Sequence, residues 1–158
     1  MLKIVTIPDP ILTKKTVLVK EFDLSLEKLA NEMIQACRKA KGIGLAAPQI
    51  GKSIRLCIIN LEHMGLAAFV LVNPKITKKS WKKVIMEEGC LSIPGVFGTV
   101  KRPVKITVEA QTLQGEKNNF EVDGLVARVI QHEIDHLDGI LFTSKMIEKS
   151  VPKPDEKM

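Results

Sequence analysis

The chain has no tyrosine, a single tryptophan and five phenylalanines, so aromatics make up only 4% of it. Few rings are available to stack bases, and a partner recognised through its nucleotide sequence is not expected. Cysteine is also scarce: Cys37, Cys57 and Cys90 are odd in number, far apart, and form no C-x-x-C pair. That argues against a disulfide framework and for a reducing, cytoplasmic setting. No apolar run approaches the ~18 residues that a membrane span needs. Met1 to Ile7 is too short for a signal peptide and is broken off by Pro8 and Pro10. Histidine is scarcest in proportion to what it can do: His63, His132 and His136 are the only three.

Positive charge, by contrast, is in surplus. The formal net charge is +6, with lysines in scattered pairs at Lys14-Lys15, Lys78-Lys79 and Lys82-Lys83. This describes a solvated basic surface, with at most a weak attraction to a polyanion such as RNA or a ribosome. A length of 158 residues, 45% of them hydrophobic, suits one domain with a real core. Residues 1–150 are read as that domain. The charged tail at 151–158, with Pro152 and Pro154, is expected to be disordered.

Leu26, Leu29, Ala30, Met33, Ile34 and Cys37 recur at helical spacing, with Asp23 or Ser25 as the cap. Gly42 to Ala47 superficially matches a G-x-G-x-x-A dinucleotide fingerprint. It follows a helix rather than a strand, however, and Pro48 blocks a following helix, so a loop allowing close backbone approach to a ligand is the better reading. Ile54 to Ile59 and Phe69 to Val72 read as buried strands, the second ending at Asn73-Pro74. An extended run over 86–90 would place Met86, Glu88 and Cys90 on one face. Val104, Ile106, Val108 and Ala110 alternate with polar residues, and after the turn at Gln114 to Glu116 the alternation resumes at Phe120 and Val122, an antiparallel hairpin. The fold class is therefore α+β: antiparallel β-sheets packed around a central α-helix, with a second amphipathic helix near the N-terminus.

That central helix is read over Leu125 to Asp138, between Asp123 as N-cap and Gly139 as C-cap. Val126, Ile130, Ile134 and Leu137 form its apolar face; Arg128, Gln131, Asp135 and Asp138 suit polar contacts or solvent. His132 and His136, four apart, point at one spot, and Glu133 lies about 100° further round. This is the H-E-x-x-H arrangement of two imidazole ligands and a carboxylate base. A catalytic metal needs a third protein ligand. His63, in an apparent surface turn, is the weaker candidate, and Cys90, in a segment shaped by Gly89 and Pro94, the better one.

Taken in order, Gly42-Ile-Gly-Leu-Ala-Ala-Pro-Gln49, Glu88-Gly-Cys-Leu-Ser92 and Gln131-His-Glu-Ile-Asp-His136 resemble the three signature motifs of the peptide deformylase family, a likeness that extends over essentially the whole chain. The resemblance implies a monometallic hydrolase that removes the N-formyl group from newly made polypeptides beginning with formylmethionine. It implies Cys90, His132 and His136 as ligands, usually of Fe²⁺, with Zn²⁺, Ni²⁺ or Co²⁺ as substitutes. It further implies Glu133 as the acid/base, Gln49 and the Leu91 N–H as oxyanion donors, and Ile43, Gly44, Met86, Leu125 and Val129 at the substrate cleft. The chain departs from the family pattern in three places, one of them a C-terminal tail too short for the longer helix that some relatives use at the ribosome. Gly95-Val96-Phe97-Gly98 stands where many relatives place a peptide-contacting arginine, and Lys41 stands where relatives often have glutamate. An H-E-x-x-H endopeptidase and a non-catalytic metal-binding domain are the rival readings.

Overall fold

The computed structural model of the protein describes residues 2–150; the expected disordered tail, Val151 to Met158, lies outside them. Of the two possible caps for the first helix, Asp23 is the one used. Its carboxylate accepts the Leu26 N–H at 3.0 Å and the Ser25 hydroxyl at 2.6 Å. The helix that follows, α1 (Leu24–Lys39), buries Leu26, Ala30, Met33, Ala36 and Cys37, close to the stripe its spacing predicts. It stops at Ala40, because Lys41 turns to φ 57°.

The segment read as a glycine loop is in fact a short strand, β1 (Gly44–Ala46), and a 3₁₀ turn over Ala47–Ile50. β1 pairs with β2 (Leu56–Ile59), which is too few residues for alternation to reveal. β3 (Phe69–Lys79), β6 (Lys105–Gln111) and β7 (Lys117–Asp123) complete an antiparallel sheet in the order β1-β2-β3-β6-β7. β4 (Lys83–Cys90), β5 (Ile93–Pro103) and β8 (Met146–Lys149) form a second sheet in the order β4-β5-β8. The second long helix, α2 (Gly124–Leu137), packs against β1 and β2 of the large sheet and against β5 of the small one.

The unbroken apolar run of β2 has a simple cause. Leu56 and Ile58 join the cluster under α1, while Cys57 and Ile59 join the cluster under α2, so the strand is covered on both faces. Burial pushes the Cys37 thiol up to about 12, as expected of a small core residue, and pushes Cys57 well above its ordinary range.

Three further expectations need correction. β3 does not end at Asn73-Pro74. The register shifts between Val72 and Lys75, Asn73 sits at φ 52°, and its side-chain amide bonds both the Val19 N–H (2.8 Å) and the Val19 carbonyl (2.9 Å). A bulge held in this way lets the strand carry a proline and continue to Lys79. β5 and β8 are additional strands; the prolines and glycines of β5 disguise its period. At α2, Asp123 occupies the N-cap position, but its side chain makes no capping bond.

Candidate active site

Helix α2 brings His132 and Glu133 to the floor of a cleft of about 380 Å³ between β1 and β4, with His136 buried one turn further along the helix. β4 delivers Cys90 to the same floor, where its Sγ lies 3.2 Å from His136 Nε2. One donor atom each from Cys90, His132 and His136 lies within 4.8 Å of the others, close enough to close on one ion with bonds of about 2.0–2.3 Å. His63, by contrast, is exposed on a 3₁₀ turn and stands apart from this cluster.

The two imidazoles sit in opposite electrostatic surroundings. Burial and the charges of His132 and Arg102 push His136 down to about 3, so it is neutral. Burial opposes charge on His132 as well, but hydrogen bonds to Cys90 and Glu88 prevail and push it up to about 10. Glu88 accepts from His132 Nδ1 at 3.0 Å, which turns the other ring nitrogen toward the cluster.

Glu88 is itself clamped. Arg102 donates to it from Nε (2.6 Å) and Nη2 (2.9 Å), and Arg128 donates from Nη1 (2.6 Å). Burial raises the Glu88 pKa, yet the hydrogen bonds and charges of Arg102 and His132 hold it well below the carboxylate range. Arg102 also bonds Asp135 at 2.8 Å, and Arg128 reaches the carbonyls of Val84 (2.7 Å) and Val100 (3.0 Å). The polar face of α2 thus makes polar contacts at Arg128 and Gln131, both buried, rather than facing solvent. Arg102 did not stand out in the sequence; Arg128 stood out only as part of the helix's polar face, and Glu88 only within a motif and on the strand face it shares with Met86 and Cys90. The available signal was two arginines aligned, by alternation and by helical spacing, with buried positions.

Glu88→Gln is expected to leave the buried Arg128 guanidinium without a carboxylate and Arg102 with Asp135 alone. Stability should fall by about 3 kcal/mol, the scale of breaking a buried ion pair, and metal affinity by roughly 10–100-fold. Thermal unfolding with and without chelator, together with metal titration, measures both.

Glu133 is 3% exposed, and its Oε2 is a buried oxygen without a hydrogen-bond partner. Burial, with Glu88 nearby, raises its pKa to about 7 against the opposing charge of His132. Gly44 of β1 presses on it: a Cβ at that position would lie 2.6 Å from Glu133 Oε1. Gly44→Ala should therefore displace the carboxylate, lowering turnover on the order of 10²-fold while leaving metal content unchanged, as steady-state kinetics and metal analysis would show.

The 3₁₀ turn after β1 positions Gln49. Its Oε1 accepts the Ala46 N–H at 2.9 Å, so its Nε2 must face the site, 3.1 Å from Ser92 Oγ and 3.5 Å from Cys90 Sγ. Leu91 lies beside Cys90 in the cleft wall, and the expected cleft residues Ile43, Gly44, Met86, Leu125 and Val129 all line it. Phe97 lines it too and was missed, because β5 itself was missed.

The sequence profile of the polypeptide deformylase family matches residues 1–151. The chain belongs to the polypeptide deformylase family. It is 44% identical to a peptide deformylase of Chlorobaculum parvum over 92% of this chain and 80% of that protein. It is 43% identical to the chloroplastic peptide deformylase 1B of Solanum lycopersicum over 99% of this chain, which spans 57% of the length of the tomato protein. The crystal structure of the Thermotoga maritima peptide deformylase superposes with a TM-score of 0.89 at 37% identity, covering 92% of this chain and 97% of that one. The α+β fold built on two helices and antiparallel sheets is thus the deformylase fold. Among the described residues, no helix of the protein is long and apolar enough to cross a membrane.

Proposed function

We propose that the chain hydrolyses the N-formyl group of polypeptides beginning with formylmethionine, releasing formate and a free α-amine. The observation that carries this reading is the meeting of Cys90, His132 and His136 at an apolar cleft, beside Glu133, whose buried Oε2 has no hydrogen-bond partner. One thiolate and two imidazoles suit a divalent ion, Fe²⁺ first, with Zn²⁺, Ni²⁺ or Co²⁺ as alternatives. A divalent ion there supplies Lewis acidity, making water a better nucleophile and drawing electron density from the formyl carbonyl. Glu133 takes a proton from the attacking water and gives it to the amine nitrogen as the C–N bond breaks. The Gln49 Nε2–H and the Leu91 N–H donate to the oxygen that carries negative charge between the two steps. Met86, Leu125 and Val129 offer an apolar wall to an unbranched side chain such as methionine. Ile43 and Gly44 present backbone at the edge of β1, to which an extended peptide can add as a strand.

Incubating metal-loaded protein with formyl-Met-Ala-Ser, acetyl-Met-Ala-Ser and a long unblocked peptide tests the reading. Formate should come from the first, and the acetyl peptide should react far more slowly, because a tight site has no room for the extra methyl. Internal cleavage as fast as formate release would make the protein an endopeptidase instead.

A further inference from the structure

Outside the cleft, at the corner between β3 and β4, Trp81 is 100% exposed. It is the only tryptophan of the chain. Lys78, Lys79, Lys82 and Lys83 flank it, all exposed. Trp81, Lys79 and Lys83 share a hollow of about 560 Å³ with Lys101 of β5. Among the described residues, Lys78, Lys79, Lys82, Lys83 and Lys101 form no ion pair, whereas Lys145, at the rim of the hollow, is neutralised by Asp135 at 3.0 Å.

The corner is tied down. Ser80 N–H donates to the Lys105 carbonyl at 2.9 Å and Val104 N–H to the Lys82 carbonyl at 3.0 Å. The Ser80 hydroxyl donates to the Lys82 carbonyl at 2.8 Å and accepts the Lys105 N–H at 3.1 Å. The backbone beneath the ring is therefore ordered before any partner arrives, which lowers the entropy cost of binding.

We propose that this corner binds single-stranded RNA without sequence preference, with one base stacked on Trp81 and the lysines set against the flanking phosphates. The choice of RNA rests on the proposed substrate, since newly made polypeptides emerge among RNA. A second copy of the chain is a poor occupant, because pairing the corners would oppose five uncompensated cations with five more. A lipid surface is also poorly matched: among the described residues Pro103 is the only other apolar one in the hollow, and interfacial binding scales with buried apolar area.

The lone tryptophan makes the test direct. Metal-loaded wild-type protein is titrated at low salt with a ten-nucleotide oligo(U) RNA, a duplex RNA of the same length, polyglutamate and phosphatidylserine vesicles. Saturable quenching of tryptophan emission by the single strand is expected, with the duplex at least about tenfold weaker because its bases are already stacked. With labelled RNA followed by anisotropy, Trp81→Ala should bind about tenfold more weakly. Reversing Lys82 and Lys83 to glutamate should flatten the dependence of log K on log salt by roughly 0.7 for each phosphate no longer neutralised. All variants should release formate from formyl-Met-Ala-Ser at the wild-type rate. Absence of quenching, equal binding by Trp81→Ala and wild type, or tighter binding to vesicles or polyglutamate would each overturn the proposal. Quenching by RNA in a protein that releases no formate would leave this inference standing and sink the deformylase reading.

Discussion

Glu133→Gln is expected to keep the metal and lose about 10²–10⁴-fold in turnover, the usual contribution of a general acid–base group. Glutamine matches glutamate in shape and fills the space under Gly44, but it cannot take a proton from water or return one to the amine. Near-normal formate release from a metal-loaded variant would mean that another group moves the proton. The same variant should be more stable than wild type once the metal is chelated, and the sign follows from the pKa. The Glu133 value is raised in the folded chain from 4.5 to about 7. The stability tied to its protonated form is therefore fully present below 4.5 and lost as pH rises through about 7. Glutamine does not titrate, so its advantage should open across that window to roughly 3 kcal/mol, at about 1.4 kcal/mol per pH unit. Denaturant unfolding of both chelated proteins at pH 5 and pH 8 checks it; curves displaced equally at both pH values would contradict the assignment.

Cys90→Ala is expected to abolish metal retention and, with it, formate release. The variant keeps both imidazoles, yet two ligands four residues apart on one helix leave the ion short of a third. The loss should exceed the roughly 10–100-fold that follows removal of an outer partner such as the one Glu88 supplies to His132. Metal analysis after gel filtration and X-ray absorption at the metal edge distinguish the outcomes. Full retention without sulfur coordination would remove Cys90 from the site. The fold should survive, because Cys90 is half-buried near the small Ile93, Val100 and Phe142 cluster and not in either of the larger ones.

Much of this protein was settled by its sequence. The spacing of His132, Glu133 and His136 places two imidazoles and a carboxylate on one helix, because 3.6 residues per turn is a local property of the backbone. The stripe of α1, its Asp23 cap and the alternation of the β6–β7 hairpin are local in the same sense, and each stands close to its expected place. Tertiary structure decided what depends on contacts distant in the chain. Gln49 meets Cys90 across 41 positions, and Glu88 meets Arg102 and Arg128 across 14 and 40. These contacts are set by strand register and by the bulge at Gly89/Cys90, which no run of neighbouring residues encodes. Side-chain exposure is decided at the same level. A shortage of aromatics argued against stacking on bases, yet the fold puts the one tryptophan in full solvent amid unpaired lysines, because the corner between two sheets has nothing packed over it.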